Sequence, residues 1–561
     1  MNNDYKIKNP IIPGFYPDPS ICRVGNDYYI ANSSFSFFPG IPLFHSRDLA
    51  HWECIGYALN DPQQLRLNPE RLSGGLFAPT IRYHEGLFYV IVGNMTTGEN
   101  ILVTAEDPRG PWSDVHLIDG VGGDPSLFWD DDGTCWCSYS KMGGPNGGIV
   151  NRQLDLTTFR LVGEEYYLWN GNAYDAHSPE SSHIYKKDGW YYLLIAEGGT
   201  EHYHATTIAR SKNLNGPYKN YRGNPILSHG HLSMYHEIVN IGHSDFVETQ
   251  NGAWYMVSLA SRPYGGYHKN LGRETFIMPV IWESDWPIVC PGTGKCEMEY
   301  PAPELPEFPV ADLPEADDFD AKTLSWQWNT LGTPVGDVYR LEDSRLYIKT
   351  AAVPLENWAH HKFGGFPEDP EERRKMFEAH MAARKNAKAY AMGFVGRRQQ
   401  HFSYTVETST YYAPQGENDT AGLVIIQDST NQLRIEIGLE QGKKVARVVK
   451  FYNVIPHAMM GDVIPEMDVE EGLYSQVQGC VEIPDEEVVL RITAKGQSNS
   501  FYVNDLPVAV NVNGSFMGSE TCGGFVGAYI GMFASSNTNG KENAEPVEQE
   551  AAFDWFTYVP E

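Results

Sequence analysis

Short apolar stretches alternate with polar turns through the first half of the chain, and five of them share one form. They are DPSICRVGNDYYIA (18–31), APTIRYHEGLFYVI (78–91), DPSLFWDDDGTCWCS (124–138), ESSHIYKKDGWYYLL (180–194) and HSDFVETQNGAWYMV (243–257). Each reads as a short strand, a polar turn with Gly or Asn, and an aromatic-rich second strand, which is a hairpin. No helical period separates them. One such unit cannot bury both faces of its sheet, so neighbours must stack. Radial repetition predicts an all-β fold, a five-bladed β-propeller.

The second half changes pattern. YPAPELPEFPVADLPEADDFD places Pro301, Pro303, Pro306, Pro309 and Pro314 where they interrupt any helix or central strand. This divides the chain into a propeller domain, 1–314, and a second domain, 315–561. SRLYIKT, YTVETSTYY, AGLVIIQD, LRIEIG, VVLRITAKG and GGFVGAYIGMFA then read as strands of an antiparallel β-sandwich. The charged stretch 367–390 reads as a helical excursion from it.

Charge narrows the partners. Lys+Arg number 42 against 72 Asp+Glu, a net charge of -30. Such a surface repels phosphate backbones and anionic lipid, which argues against nucleic acid and membrane surfaces but presents no barrier to a neutral substrate. No apolar run approaches the length of a membrane span. The first twenty residues lack a basic segment followed by an apolar one, and the eight cysteines show no metal-site spacing. Together these predict reduced thiols and a cytoplasmic protein. The oligomeric state stays open, a homo-oligomer included.

Aligning the five repeats on the aromatic after the turn (Tyr29, Tyr89, Trp136, Tyr192, Tyr255) puts Asp18, Ala78, Asp124, Glu180 and His243 at the opening position. The first strand of each blade lines a propeller's channel, so three carboxylates and a histidine are expected near one axial location. One Asp before Pro is an ordinary turn starter. Three converging carboxylates repel one another and serve no purely structural end. Two carboxylates across a sugar are the apparatus of glycoside hydrolysis, one protonated and one ionised. A third can hold the acid's pKa up by like-charge repulsion. DDDG (130–133) lacks the full spacing of a calcium loop and reads as a polar turn.

With these flanks the sequence resembles glycoside hydrolase family 43. The matching segments are GFYPDPSICRVGNDYYIANSSFSFFPGIPLFHSRDLAHW, GGLFAPTIRYHEGLFYVI, GGDPSLFWDDDG, SPESSHIYKKDGWYYLLIAEGGT, IGHSDFVET and LGRET. The downstream half resembles the concanavalin-like C-terminal domain of the family's β-xylosidases. The resemblance implies an inverting exo-glycosidase acting on small oligosaccharides. It makes Asp18 the general base, Asp124 the pKa-modulating carboxylate and Glu180 the general acid. Arg273 matches the sugar-binding arginine, Phe35 and Phe77 the aromatic walls, and Thr200 and His204 polar positions near the pocket. His243 matches an axial histidine that contacts a hydrated calcium (Ca2+) in many relatives, and no organic cofactor is implied. Phe77 departs from the family pattern, because many of its β-xylosidases have Trp there; a wider pocket would admit L-arabinofuranose beside D-xylose.

The leading expectation is a β-D-xylosidase with α-L-arabinofuranosidase activity. A dedicated α-L-arabinofuranosidase is the alternative, and a non-catalytic carbohydrate-binding propeller would require a missing carboxylate. The sandwich either binds sugar itself or covers the propeller mouth. Gly523, Gly524 and Phe525 favour the cover, since they can carry an aromatic into the pocket.

Overall fold

In the computed structural model, residues 5–67, 72–141, 147–171, 178–334, 338–351, 354–356, 372, 375, 379, 392–454, 472–536 and 549–561 are described. Among them the first half forms five successive antiparallel sheets of four or five strands. Their innermost strands are Ser20–Val24, Leu76–His84, Gly123–Trp129, Glu180–Lys187 and Val239–Glu248. Each of these touches the next, and the fifth touches the first, so the ring closes as a β-propeller. The strands are short and aromatic-rich, which suits sheets packed on both faces. Tyr28, Ile30, Tyr192, Leu194, Phe246 and Met256 all enter one cluster spanning the ring closure. Lys6–Lys8 pairs with Glu299–Pro301 and ties the start of the chain to the strand after the last sheet.

Residues 302–315 carry no strand. Beyond them two antiparallel sheets pack into a sandwich around Leu346, Tyr404, Ile435, Ile492, Phe501 and Phe553. The strand Asp419–Ile426 shows why its last four residues, Leu423 to Ile426, are apolar without alternation. Leu423 and Ile425 enter the sandwich core, while Val424 and Ile426 enter a second cluster with Phe15, Phe35 and Phe37 of the propeller. A strand buried on both faces loses the polar half of its alternation. The junction is further held by Phe37 stacked on Tyr529 at 3.8 Å between ring centroids. Buried Arg398 donates from Nε to the Phe15 carbonyl at 2.6 Å and from Nη1 to Asn329 Oδ1 at 2.8 Å.

Within the expected helix at 367–390, the described residues Glu372, Lys375 and Ala379 are helical and exposed; the rest lies outside the described residues. The DDDG segment is a hairpin turn, with Asp130 and Asp131 bound by Lys186 Nζ. All eight cysteines are free thiols, and only Cys480 is exposed.

Candidate active site

Each innermost strand carries a residue with left-handed backbone, within it or, in the first, two residues before it: Asp18 (φ 54°), Ala78 (48°), Asp124 (49°), Ser181 (54°) and His243 (50°). In the last four sheets the pairing register shifts at that point, the mark of a β-bulge. Non-glycine residues rarely adopt this conformation, so its recurrence in all five sheets marks a shared backbone feature of the site.

This geometry corrects the repeat alignment. Only the third and fifth hairpins carry the extra turn residue, pairing Phe128 with Trp136 and Val247 with Tyr255. The fourth pairs Tyr185 with Tyr192, as the second pairs Arg82 with Tyr89. Ser181, not Glu180, therefore occupies the repeat position of Asp18 and Asp124. Glu180 stands one residue earlier, level with Phe77.

The carboxylates still meet. Ligand atoms of Asp124, Glu180 and His243 lie within 4.8 Å of one another. His243 Nδ1 is 3.8 Å from Asp18 Oδ1 and 3.9 Å from Asp124 Oδ2. Asp18 is almost fully buried. It accepts Arg273 Nη1 at 2.7 Å and the Ser33 hydroxyl at 2.6 Å. Asp124 accepts the Ser181 N–H at 3.1 Å.

The same burial acts differently on the three groups. At Asp18 burial alone would raise the pKa, but Arg273, His243 and the Ser33 hydrogen bond outweigh it and hold the carboxyl below its ordinary range. At Asp124 burial and the Asp18 charge prevail over His243, and the pKa rises. At Glu180 burial, Asp124 and Asp18 all push the same way, against Arg273 alone, and the pKa stands well above the ordinary value. The site thus pushes two carboxyls in opposite directions, Asp18 toward the ionised form and Glu180 toward the protonated one, which is the arrangement acid–base cleavage across a sugar uses.

The other expected residues surround this group. Phe35 and Phe77 are in contact, with ring centroids 4.4 Å apart, and Phe525 of the sandwich lies 6.4 Å from Phe35 and 6.1 Å from Phe77. The Arg273 guanidinium sits over Phe35 at 5.6 Å and Phe525 at 5.8 Å, and its Nη2 donates to the Phe525 carbonyl at 3.3 Å. Gly524 makes this approach possible. Its φ is +79°, and a Cβ there would meet Ser73 Oγ at 2.4 Å, the hydroxyl that accepts the Phe525 N–H. The sandwich thus delivers an aromatic wall to the propeller pocket, as the Gly523–Gly524–Phe525 run suggests. Thr200 lines the pocket bordered by Arg273 and Phe525. His204 is buried and lies against Gly242; burial pushes its pKa down to about 3, so it is neutral.

A polar layer below the carboxylates was not singled out from the sequence. Asp245 accepts the Ser20 hydroxyl at 2.8 Å, the Ile21 N–H at 3.0 Å, Arg82 Nη1 at 2.8 Å and the Tyr185 hydroxyl at 2.5 Å. Arg82 Nη2 and the Ser126 hydroxyl each lie 2.9 Å from His183 Nδ1. One network thereby joins all five innermost strands. Burial pushes His183 down to about 3, so its ring is neutral and Nδ1 accepts from Arg82. The signal was a buried polar residue two positions after each bulge: Ser20, Thr80, Ser126, His183 and Asp245. Four of these five join the network.

Comparison with known proteins agrees with this geometry. Residues 7–287 match the model of glycosyl hydrolases family 43. The chain belongs to glycoside hydrolase family 43. Residues 370–559 of this family 43 enzyme match the beta xylosidase C-terminal concanavalin A-like domain. It is 36% identical to a xylosidase/arabinosidase of Butyrivibrio fibrisolvens, over 95% of this chain and 97% of the relative. It is 34% identical to a non-reducing end α-L-arabinofuranosidase of Bacteroides ovatus, over 98% and 94%. Among solved structures it resembles a xylan β-1,4-xylosidase from Bacillus halodurans, with TM-score 0.83 and 32% identity over 99% of this chain and 100% of the other.

Proposed function

We propose that this glycoside hydrolase is an inverting exo-enzyme that releases terminal D-xylose and L-arabinofuranose from short xylan-derived oligosaccharides. The observation that carries the reading is the opposite displacement of two carboxyls in one pocket, Asp18 down and Glu180 up. Glu180 gives its proton to the glycosidic oxygen as the bond to C1 breaks. Asp18 takes a proton from a water that attacks C1 from the opposite face. The products are the free sugar and the leaving alcohol, and the two carboxyls regain their starting protonation by exchange with solvent. Asp124 keeps Glu180 protonated until that step, and Arg273 keeps Asp18 ionised while holding sugar hydroxyls. Phe35, Phe77 and Phe525 wall the terminal sugar. Both glycoside names among the relatives support the pairing of substrates, and Phe77 in place of a larger indole supports the furanose.

The test is the anomer first formed. Proton NMR of freshly cleaved β-xyloside should show α-xylose before mutarotation; β-xylose appearing first would assign a retaining mechanism and remove Asp18 from the role of base. Comparison of kcat/KM on the two 4-nitrophenyl glycosides then separates a dual enzyme from a dedicated arabinofuranosidase.

A hydrated calcium on the axis belongs to the same proposal. The donor set suits a cation, with two carboxylates and a buried imidazole close together. Calcium takes six to eight oxygens, and Glu180 must keep its proton, so His243 would hold the ion and water would supply most of its ligands. Bound there, its charge would help keep Asp18 ionised. Removing the metal with a chelator, verified by elemental analysis, should lower kcat, and added calcium should restore it. Unchanged activity would return His243 to a structural role.

A further inference from the structure

The pocket that Arg273 and Phe525 border beside the carboxylates is a small polar recess between the two domains. Thr200, Glu201, Asn240 and Lys269 line it from the propeller, and Ser519 and Glu520 from the sandwich. It has room for a group about the size of one water molecule. Three of the residues that line it each carry a buried side-chain atom without a hydrogen-bond partner among the described residues: Thr200 Oγ1, Glu201 Oε2 and Arg273 Nε. One is an acceptor, one a donor and one either, and buried polar atoms call for partners. The charges on the wall offset one another. Glu201 feels the negative charge of Glu520 and the positive charges of Lys269 and Arg273. Glu520 itself is bound by His268 Nδ1 at 3.1 Å and the Lys269 N–H at 3.2 Å. A neutral hydroxyl, donor and acceptor in one atom, matches this wall better than an ion or an apolar group.

Arg273 links the recess to the reaction site, because it lines the recess while its Nη1 holds Asp18. A sugar seated over Asp18 can therefore place one substituent beside Glu201. Of the two pentose rings, only the arabinofuranosyl ring carries an exocyclic hydroxymethyl group; the xylopyranosyl ring has its C5 within the ring. We propose that Glu201, with Thr200 and Arg273, binds the C5 hydroxyl of a terminal L-arabinofuranosyl group, making the recess the determinant of arabinofuranoside activity. This rests on the pentosidase reading above.

The experiment measures kcat/KM of the full-length enzyme on 4-nitrophenyl α-L-arabinofuranoside, on its 5-deoxy analogue and on 4-nitrophenyl β-D-xyloside. The native enzyme should prefer the arabinofuranoside to the 5-deoxy analogue by about tenfold or more, because a site built around a hydroxyl rejects the analogue lacking it. Glu201→Ala should bring that ratio to within about threefold of one, and should lower activity on the xyloside far less than on the arabinofuranoside. Glu201→Gln, which keeps an acceptor oxygen and the side-chain shape, should retain an intermediate ratio and guards against a folding defect. A native ratio near one, or a native ratio preserved in Glu201→Ala, overturns the assignment while leaving the pentosidase reading intact. Cleavage of neither pentoside by the native enzyme overturns that reading itself, and the recess assignment with it.

Discussion

Glu180→Ala is expected to lose about 10²–10⁴-fold in kcat on xylobiose and far less on an aryl xyloside. The second xylose of xylobiose leaves as a sugar alkoxide unless its oxygen is protonated, so the step depends on the acid. Nitrophenolate leaves without help. The carboxyl is suited to the task because burial, Asp124 and Asp18 all favour its neutral form. The sign of the pH dependence follows. Activity requires Glu180 protonated, so the alkaline limb of kcat/KM lies well above the ordinary glutamate range. Asp124→Asn removes one of the charges that raise Glu180 and should move that limb to lower pH. Steady-state kinetics on the two substrates across pH measure both effects. Equal losses on xylobiose and the aryl xyloside would contradict the acid assignment, and an alkaline limb unmoved by Asp124→Asn would contradict the modulating role of Asp124.

Repetition made the site legible. Asp18, Asp124 and His243 sit at one position of a repeated hairpin, and the structure gives all three the same left-handed backbone. Glu180 was found for a partly mistaken reason. Counting back from Tyr192 assumes an extra turn residue that its hairpin does not have, and the error of one lands on the acid instead of on Ser181. A bulge is a backbone property of two residues and leaves no mark in polarity that would have shown the slip. The sandwich strands were legible for a different reason: most have one polar face. Asp419–Ile426 is buried along its whole length, as are Phe394–Arg398 and Tyr529–Ser536, and its face toward Phe15, Phe35 and Phe37 is where the domains join. The recess could not be read from the sequence, because Thr200, Glu201, Lys269 and Glu520 come from segments up to 320 residues apart and none carries a local motif.

Asp18→Ala should abolish activity on both substrates to a similar degree, by about 10²–10⁴-fold or more, because an attacking water must be activated whatever the leaving group. The contrast with Glu180→Ala is the point of the pair: one loss depends on the leaving group, the other does not. Asp18 also anchors Arg273 Nη1, so its removal leaves a guanidinium at the pocket wall without its carboxylate. Asp18→Asn keeps the side-chain shape and an oxygen for that contact while removing the charge, and it should lose nearly as much activity as Asp18→Ala. If Asp18→Asn instead retains most of the native rate, Asp18 serves to position Arg273 and is not the base. The pH profile gives an independent reading. Asp18 works ionised, and Arg273, His243 and Ser33 hold it below the usual carboxylate range, so the acid limb of kcat/KM should lie below the ordinary aspartate range. Arg273→Ala removes the largest of these lowering influences. Burial then dominates, the Asp18 carboxyl rises, and the acid limb should move to higher pH together with a raised KM for the lost hydroxyl contacts. A higher KM with an unmoved acid limb would mean that Arg273 binds sugar without setting the ionisation of Asp18.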